Sequence, residues 1–217
     1  MKKINSKTLS LLAASLLMIV LVAGGCAKAP EKGTTEQSAT DTLSELLGMG
    51  SSISSVKYDV TMTMPGAPQM TLKTWLKKNK MKTEMRTQGQ TAISLMDMDA
   101  KTMYTYMPAQ NMAIKMKWDD TSVPTSPTEN LEVYKPVHIG TETLDGKVCT
   151  VIEYNAEGTK TKSWIWKKNG FPVRTEAVTP EGTVIMEYKN IQFTDIPDSV
   201  FELPAGVSIM EMPTGMQ

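Results

Sequence analysis

The sequence holds a single histidine, His138, and two cysteines, Cys26 and Cys149, and its 23 basic side chains balance 23 acidic ones. Zinc, haem and iron–sulfur centres each need three or four nitrogen or sulfur ligands, so enzymes built on them are largely excluded. The neutral balance removes the usual electrostatic basis for holding nucleic acid. Catalytic signatures are missing as well: no Gly-x-Ser-x-Gly elbow, no phosphate loop, no Gly-x-Gly-x-x-Gly and no His-Glu-x-x-His. His138 has no serine or cysteine beside it and reads as a structural or surface residue. The close acids Asp97 and Asp99, or Asp119 and Asp120, lack the oxygen-rich loop with glycine and terminal glutamate that calcium sites use. The expectation is a protein without cofactor or enzymatic activity.

What is present begins with Lys2, Lys3 and Lys7, an apolar run over residues 9–22, and the small residues Ala23, Gly24 and Gly25. This is the tripartite pattern of a secretory signal over residues 1–25. As a helix, the apolar run covers roughly 21 Å against the ~30 Å of a bilayer core, too short for a stable span. Without its three lysines the chain keeps 20 bases against 23 acids, a formal −3. Leu21-Val22-Ala23-Gly24-Gly25-Cys26 resembles the lipobox of bacterial lipoproteins, which implies that Cys26 is acylated and becomes the new amino terminus. More than one acyl chain makes such attachment durable. Residues 26–40 would then be lipid anchor and flexible tether, since 27–40 hold no large apolar residue to repay ordering. With Cys26 modified, Cys149 has no disulfide partner. Inside the apolar run 147–154 it reads as a small buried hydrophobe.

Residues 41–217 read as a single domain. Thr40 or Asp41 can cap a short helix with Leu43, Leu46 and Leu47 on one side, closed by Gly48 and Gly50. From Val56 the period changes to two, which marks half-buried strands. Alternation recurs to residue 118, with turn formers such as Pro65-Gly66 and Lys78-Asn79 between the runs, and this reads as a six-stranded meander. Residues 119–136 carry three prolines and a candidate second helix over 126–134. Five more strands follow, separated by Asp145-Gly146, Glu157-Gly158, Asn169-Gly170 and Glu181-Gly182. The predicted class is α+β, predominantly antiparallel: a strongly curved, incomplete barrel of about eleven strands with two short helices as a lid.

Eleven of the 18 methionines fall between Met62 and Met116, many two or four apart and so grouped on single strand faces. Methionine specifies strands poorly and re-packs around varied apolar shapes, which points to an adaptable apolar concavity. A methionine-rich core without ligand carries equal weight on the sequence. Copper(I) is a weaker reading: thioethers select it, and Met62-x-Met64, Met96-x-Met98 and Met210-x-Met212 repeat a spacing, but the pairs are far apart in sequence.

Three stretches carry a family resemblance. Asp99-Ala100-Lys101-Thr102-Met103-Tyr104-Thr105-Tyr106-Met107-Pro108 with Asn111-Met112, then Trp164 through Arg174, then Ile196 through Pro204 are similar to the LolA/LolB-like bacterial lipoprotein carriers. The resemblance implies an incomplete antiparallel barrel whose concave face, lidded by helices, holds acyl chains. On this reading Val60, Met62, Met64, Met70, Leu72, Leu76, Met81, Met85, Met103, Met107, Met112, Ile114 and Met116 supply the ligand-binding lining. The soluble carrier of that family has no lipid anchor, whereas this chain is expected to have one. The protein is thus expected to be extracytoplasmic and tethered to the cell membrane through Cys26, or to an outer membrane where the organism has one. Its expected ligand is a lipid or acyl chain, with a role in lipid or lipoprotein trafficking. The alternative is a protein-interaction or envelope-sensing module with the same fold, an envelope protein as partner and no ligand.

Overall fold

The computed structural model describes residues 34–87, 89–117, 127 and 131–212. The signal segment, Cys26, most of the tether and residues 126 and 128–130 of the second expected helix lie outside them. Helix α1 (Thr34–Ser51) leads into β1 (Ser55–Thr63), β2 (Met70–Lys77), β3 (Lys80–Thr87), β4 (Gln90–Asp97), β5 (Thr102–Met107) and β6 (Met112–Lys117). After a 3-10 turn (Leu131–Tyr134) come β7 (Val137–Leu144), β8 (Lys147–Ala156), β9 (Thr159–Trp166), β10 (Pro172–Thr179) and β11 (Gly182–Gln192), then a second such turn (Asp198–Phe201) and β12 (Ser208–Glu211).

The strands form one open sheet in the order β12-β6-β5-β4-β3-β2-β1-β11-β10-β9-β8-β7, all antiparallel except β12 on β6. Two hairpin meanders, β1–β6 and β7–β11, meet at a single seam between β1 and β11. One strand is added to the about eleven expected, and both helices differ from expectation. There are twelve strands: the four-residue β12 is too short to show a period and is recruited in parallel by the free edge of β6. Helix α1 begins at Thr34, inside the stretch assigned to the tether, because no proline or glycine interrupts residues 34–47. Of the second helix, Leu131–Tyr134 forms only a 3-10 turn, ended by Lys135 at φ 49° and then Pro136.

Directly opposed residues of paired strands share a face, so the registers sort every side chain. On the face that carries α1, here the helix side, Leu43, Leu46 and Leu47 pack with Leu131, Ile152 and Ile165, joined by Tyr134 and Tyr154. Ile152 and Ile165 have no exposure; burying side chains of this size contributes about 1.5–3 kcal/mol each. Ser44 donates to Glu132 at 2.6 Å and ties α1 to the turn. The helix also sits hard on the β9–β10 hairpin: Gly170 has φ +70°, and a Cβ there would overlap Leu46 O and Gly50 N. Across the seam a second cluster holds Val56, Tyr58, Val60, Leu76 and Phe171, flanked by Tyr188 and Met186. Tyr58 and Tyr188 both pack against the Phe171 ring.

Candidate functional site

On the helix side, the pairings across β1–β6 build rows that run perpendicular to the strands. One row is Val56, Leu76, Met81, Met96, Met103 and Met116. The next is Tyr58, Thr74, Thr83, Ser94, Thr105 and Ile114, and a third is Val60, Leu72, Met85, Ala92, Met107 and Met112. A shorter fourth row joins Met186, Met62 and Met70. Two apolar rows thus flank a row that carries hydroxyls from Tyr58 to Thr105 and ends in Ile114.

The structure brings twelve of the thirteen sequence-predicted lining residues onto this one face. Met64 is the exception, lying just past β1 in the turn whose Met64 carbonyl accepts from Ala67 N–H. The rows also add residues that the sequence reading did not include: Met96 and Ala92 in the apolar rows, and Thr83, Ser94 and Thr105 between them. In β4 both phases carry apolar residues, Ala92 and Met96 on one side against Ile93 and Leu95 on the other, so the strand offers no clean period to read. Pairing with Met81 and Met103 is what assigns Met96 its face.

Every charged side chain of β1–β6 points to the opposite face, here the far side. These include Lys57, Asp59, Lys73, Lys77, Lys82, Glu84, Asp97 and Lys115. On the helix side of β3–β6, Met81, Thr83, Met85, Ala92, Ser94, Met96, Met103, Thr105, Met107, Met112, Ile114 and Met116 are all half-buried. The leucines of α1 cluster with β8 and β9, at the other end of the sheet. The helical lid expected over the methionine strands is therefore displaced to the carboxy-terminal meander, because the partners that match its leucines are Ile152 and Ile165. One end of the methionine face deepens into a pocket of about 250 Å³, lined by Met85, Gln90, Thr91, Ala92, Met107, Ala109 and Gln110. The trough is otherwise open.

The far side is organised differently. Ser55 Oγ donates to Thr194 O at 2.7 Å, and Lys77 Nζ donates to Ile196 O at 2.7 Å while pairing with Asp195 and Asp198. Asn111 Nδ2 then holds Gly206 O, and Lys115 pairs with Glu211 at 2.8 Å. The closing segment, 193–207, so runs from the lower end of β2 to the upper end of β6, and on that side Leu95, Tyr106 and Ala113 are buried. Lys77 beside Asp198 holds that carboxyl below the usual range, as Lys115 does for Glu211. Near the seam a polar pocket of about 290 Å³ is lined by Lys57, Asp59, Lys73, Trp75, Asn190 and Gln192, with Tyr58 and Thr74 at its floor. It opens where the β1–β11 register shifts, with Asn190 at φ 52° donating to Asp59 at 2.6 Å.

Two residues singled out by their chemistry sit away from the trough. Cys149 has no exposure, packs with Val151, Trp164 and Val173, and has its thiol pushed up by burial, which leaves it unreactive. His138 is exposed beside the β7 bulge, one ring nitrogen 2.7 Å from Gly140 O. Among the described residues no three histidine, cysteine, aspartate or glutamate side chains converge as metal ligands. No described helix is long and apolar enough to cross a membrane.

Residues 57–168, from the third residue of β1 through β9, match the model of a family described as DUF4412, a domain of unknown function. The chain belongs to the DUF4412 family. The matched span contains all six trough strands, whereas β10–β12 lie beyond it. No curated protein matches this DUF4412 chain. Among solved structures it is similar to an uncharacterized conserved protein from Thermus thermophilus, with 11% identity, 81% of this chain and 100% of that one covered, and a TM-score of 0.59. It is also similar to LprF from Mycobacterium bovis, with 12% identity, 79% and 98% covered and a TM-score of 0.50. A LolA superfamily protein, NE2245 from Nitrosomonas europaea, matches with 13% identity, 74% and 97% covered and a TM-score of 0.38. The first two of these share the fold of this chain.

Proposed function

We propose that this protein is a non-enzymatic, extracytoplasmic carrier or holder of an apolar ligand, tethered through acylated Cys26, with an acyl chain lying in the methionine trough. The observation that carries this reading is the sorting of charge: six consecutive strands keep every charged side chain off one face, and over β3–β6 that face, largely apolar, is only half-buried. A protein that needed only a core would close such a surface, as it does over Ile152 and Ile165. Unbranched thioethers suit a ligand whose shape varies, and the hydroxyls of Thr83, Ser94 and Thr105 give an ester or headgroup oxygen partners between the apolar rows. The 250 Å³ pocket is slightly smaller than typical small-molecule sites, which fits one end of a chain better than a whole folded molecule.

The test is titration of the full chain, in detergent below its micelle concentration, with a fluorescent long-chain fatty acid. Met103→Lys, which places a charge mid-trough, is expected to weaken binding at least tenfold, whereas Lys57→Ala on the far side leaves it unchanged. Equal binding by parent and Met103→Lys, or none by the parent, overturns the reading. The interaction-module alternative draws on the edge strand β7, where Val137 and Ile139 are 63% and 49% exposed. Native mass spectrometry of cell-derived protein separates the two: a co-purifying lipid supports the carrier, and a protein partner on an empty trough supports the module.

A further inference from the structure

Strand pairing sets Met96, one of the methionines whose spacing suggested copper, beside methionines distant in sequence. Met81 opposes Met96, Met96 opposes Met103, and Met103 opposes Met116, giving four methionines side by side on four adjacent strands. We propose that Met96 and Met103, with a flanking Met81 or Met116, form a thioether site for a soft monovalent cation, copper(I) or its analogue silver(I), whether or not an acyl chain uses the same face.

Four observations support it. Directly opposed residues have Cβ atoms about 4.5–5.5 Å apart, and each methionine has three rotatable bonds beyond that, so sulfurs from neighbouring strands can meet on one ion. The row spans about 14 Å at strand spacing, which allows three adjacent members to share an ion but not all four. All four residues are half-buried, so an ion reaches them without opening a core. The fold also accepts leucine in these rows, as Leu76 and Leu72 show on β2, yet β3, β5 and β6 carry methionine at the continuing positions. Adaptable apolar filling accounts for the switch as far as shape goes, and thioether sulfur adds a selectivity that leucine lacks, for copper(I) over harder ions. Among the described residues, the only thiol, Cys149, is buried with the far-side cluster and does not compete.

Thioethers carry no proton at any ordinary pH, so binding here releases none. Sites built on thiolate or imidazole must lose protons and weaken in acid. The expected signature is an affinity that stays flat from about pH 5 to 8.

The experiment uses the full chain carrying Cys26→Ser, in detergent, titrated with copper(I) under ascorbate against a competing chelator, and with silver(I). One ion per chain is expected, with a flat pH profile. Met96→Leu/Met103→Leu should lower the affinity at least tenfold, and Met49→Leu on α1 should leave it unchanged. The unsubstituted chain is titrated with the fluorescent fatty acid in the absence of copper(I) and silver(I), so failure of this site and failure of the acyl-chain reading are read in separate titrations. Should the double variant fold poorly, NMR of methyl-labelled methionines in the otherwise unaltered chain decides: silver(I) must shift the Met96 and Met103 methyl signals first. Undiminished binding by a folded double variant, affinity falling steeply in acid, or no shift at those two methyls overturns the proposal.

Discussion

On the helix side of the second meander, Ile152 and Ile165 have no exposure and lie under the leucines of α1. On the same side of β3–β6, a row of methionines of comparable size stays half-buried, apart from that helix. The same sheet, with the same alternation, therefore treats one continuous face in two ways. The second meander uses branched, well-defined side chains where a fixed partner covers them, and the first uses adaptable ones where none of the described elements does. Shape-specific packing is confined to one end, and the other end is left able to receive something.

That contrast can be broken by truncation. Ile152→Ala is expected to cost about 2–5 kcal/mol, the range for emptying a closed core position, while Met103→Ala should cost under about 1.5 kcal/mol because much of its surface is already wet. Urea unfolding of the two variants measures both, and equal losses would mean that the trough is as rigid a core as the helix pocket.

Backbone clearance gives a second comparison. Gly170→Ala places a methyl against the α1 backbone at Leu46 and Gly50 and should cost more than the about 1–2 kcal/mol that left-handed alanine carries alone. Gly66→Ala, at φ +71° with open space around it, should cost no more than that strain. Thermal melting of the pair checks whether α1 is clamped by the hairpin turn.

The seam between the meanders can be probed with alkali. Burial, then the nearby Tyr154, pushes the Tyr188 hydroxyl up to about 12, and burial moves Tyr58 upward as well. The unfolded chain ionises its tyrosines near about pH 10, so this stability is complete below that point and is lost as pH rises toward 12. Tyr188→Phe should flatten the loss measured by denaturant midpoints above about pH 10.

The smallest effect is local. Asp198 and Glu211 have carboxyls held down by Lys77 and Lys115. Their contribution is complete at neutral pH and fades as pH falls through and below the ordinary carboxylate range. Protection from hydrogen exchange, taken relative to the intrinsic rate at each pH, should therefore fall over residues 195–211 in acid before the rest of the sheet responds, and Lys77→Ala should reproduce this at neutral pH.

Most of the architecture was legible in the chain because alternation is a two-way choice that charge makes visible: Lys57, Asp59 and Lys73 against Val56, Tyr58, Val60 and Leu72 leave no doubt about faces. That the predicted residues of β1, β2, β3, β5 and β6 share one face could be read for the same reason. Met96 could not, since β4 is apolar in both phases and only its neighbours decide its side. The parallel β12 carries four residues of no particular period, and its place is set by an edge 96 positions earlier that needed covering. The docking of α1 likewise depends on Ile152 and Ile165, which local capping signals near Thr40 do not report.

The seam has a consequence for how the chain acquires its shape. Each meander is made of neighbours in sequence and can zip locally, but β1 finds β11 only after some 130 residues have been laid down. Long loops must close before such a pairing gains anything, which slows folding and lengthens the time that apolar strands stand unpaired. A chain emerging amino terminus first therefore keeps its first strand waiting for nearly its last, and the joining of the halves is a late, rate-setting event that any chaperone for this protein would have to outlast.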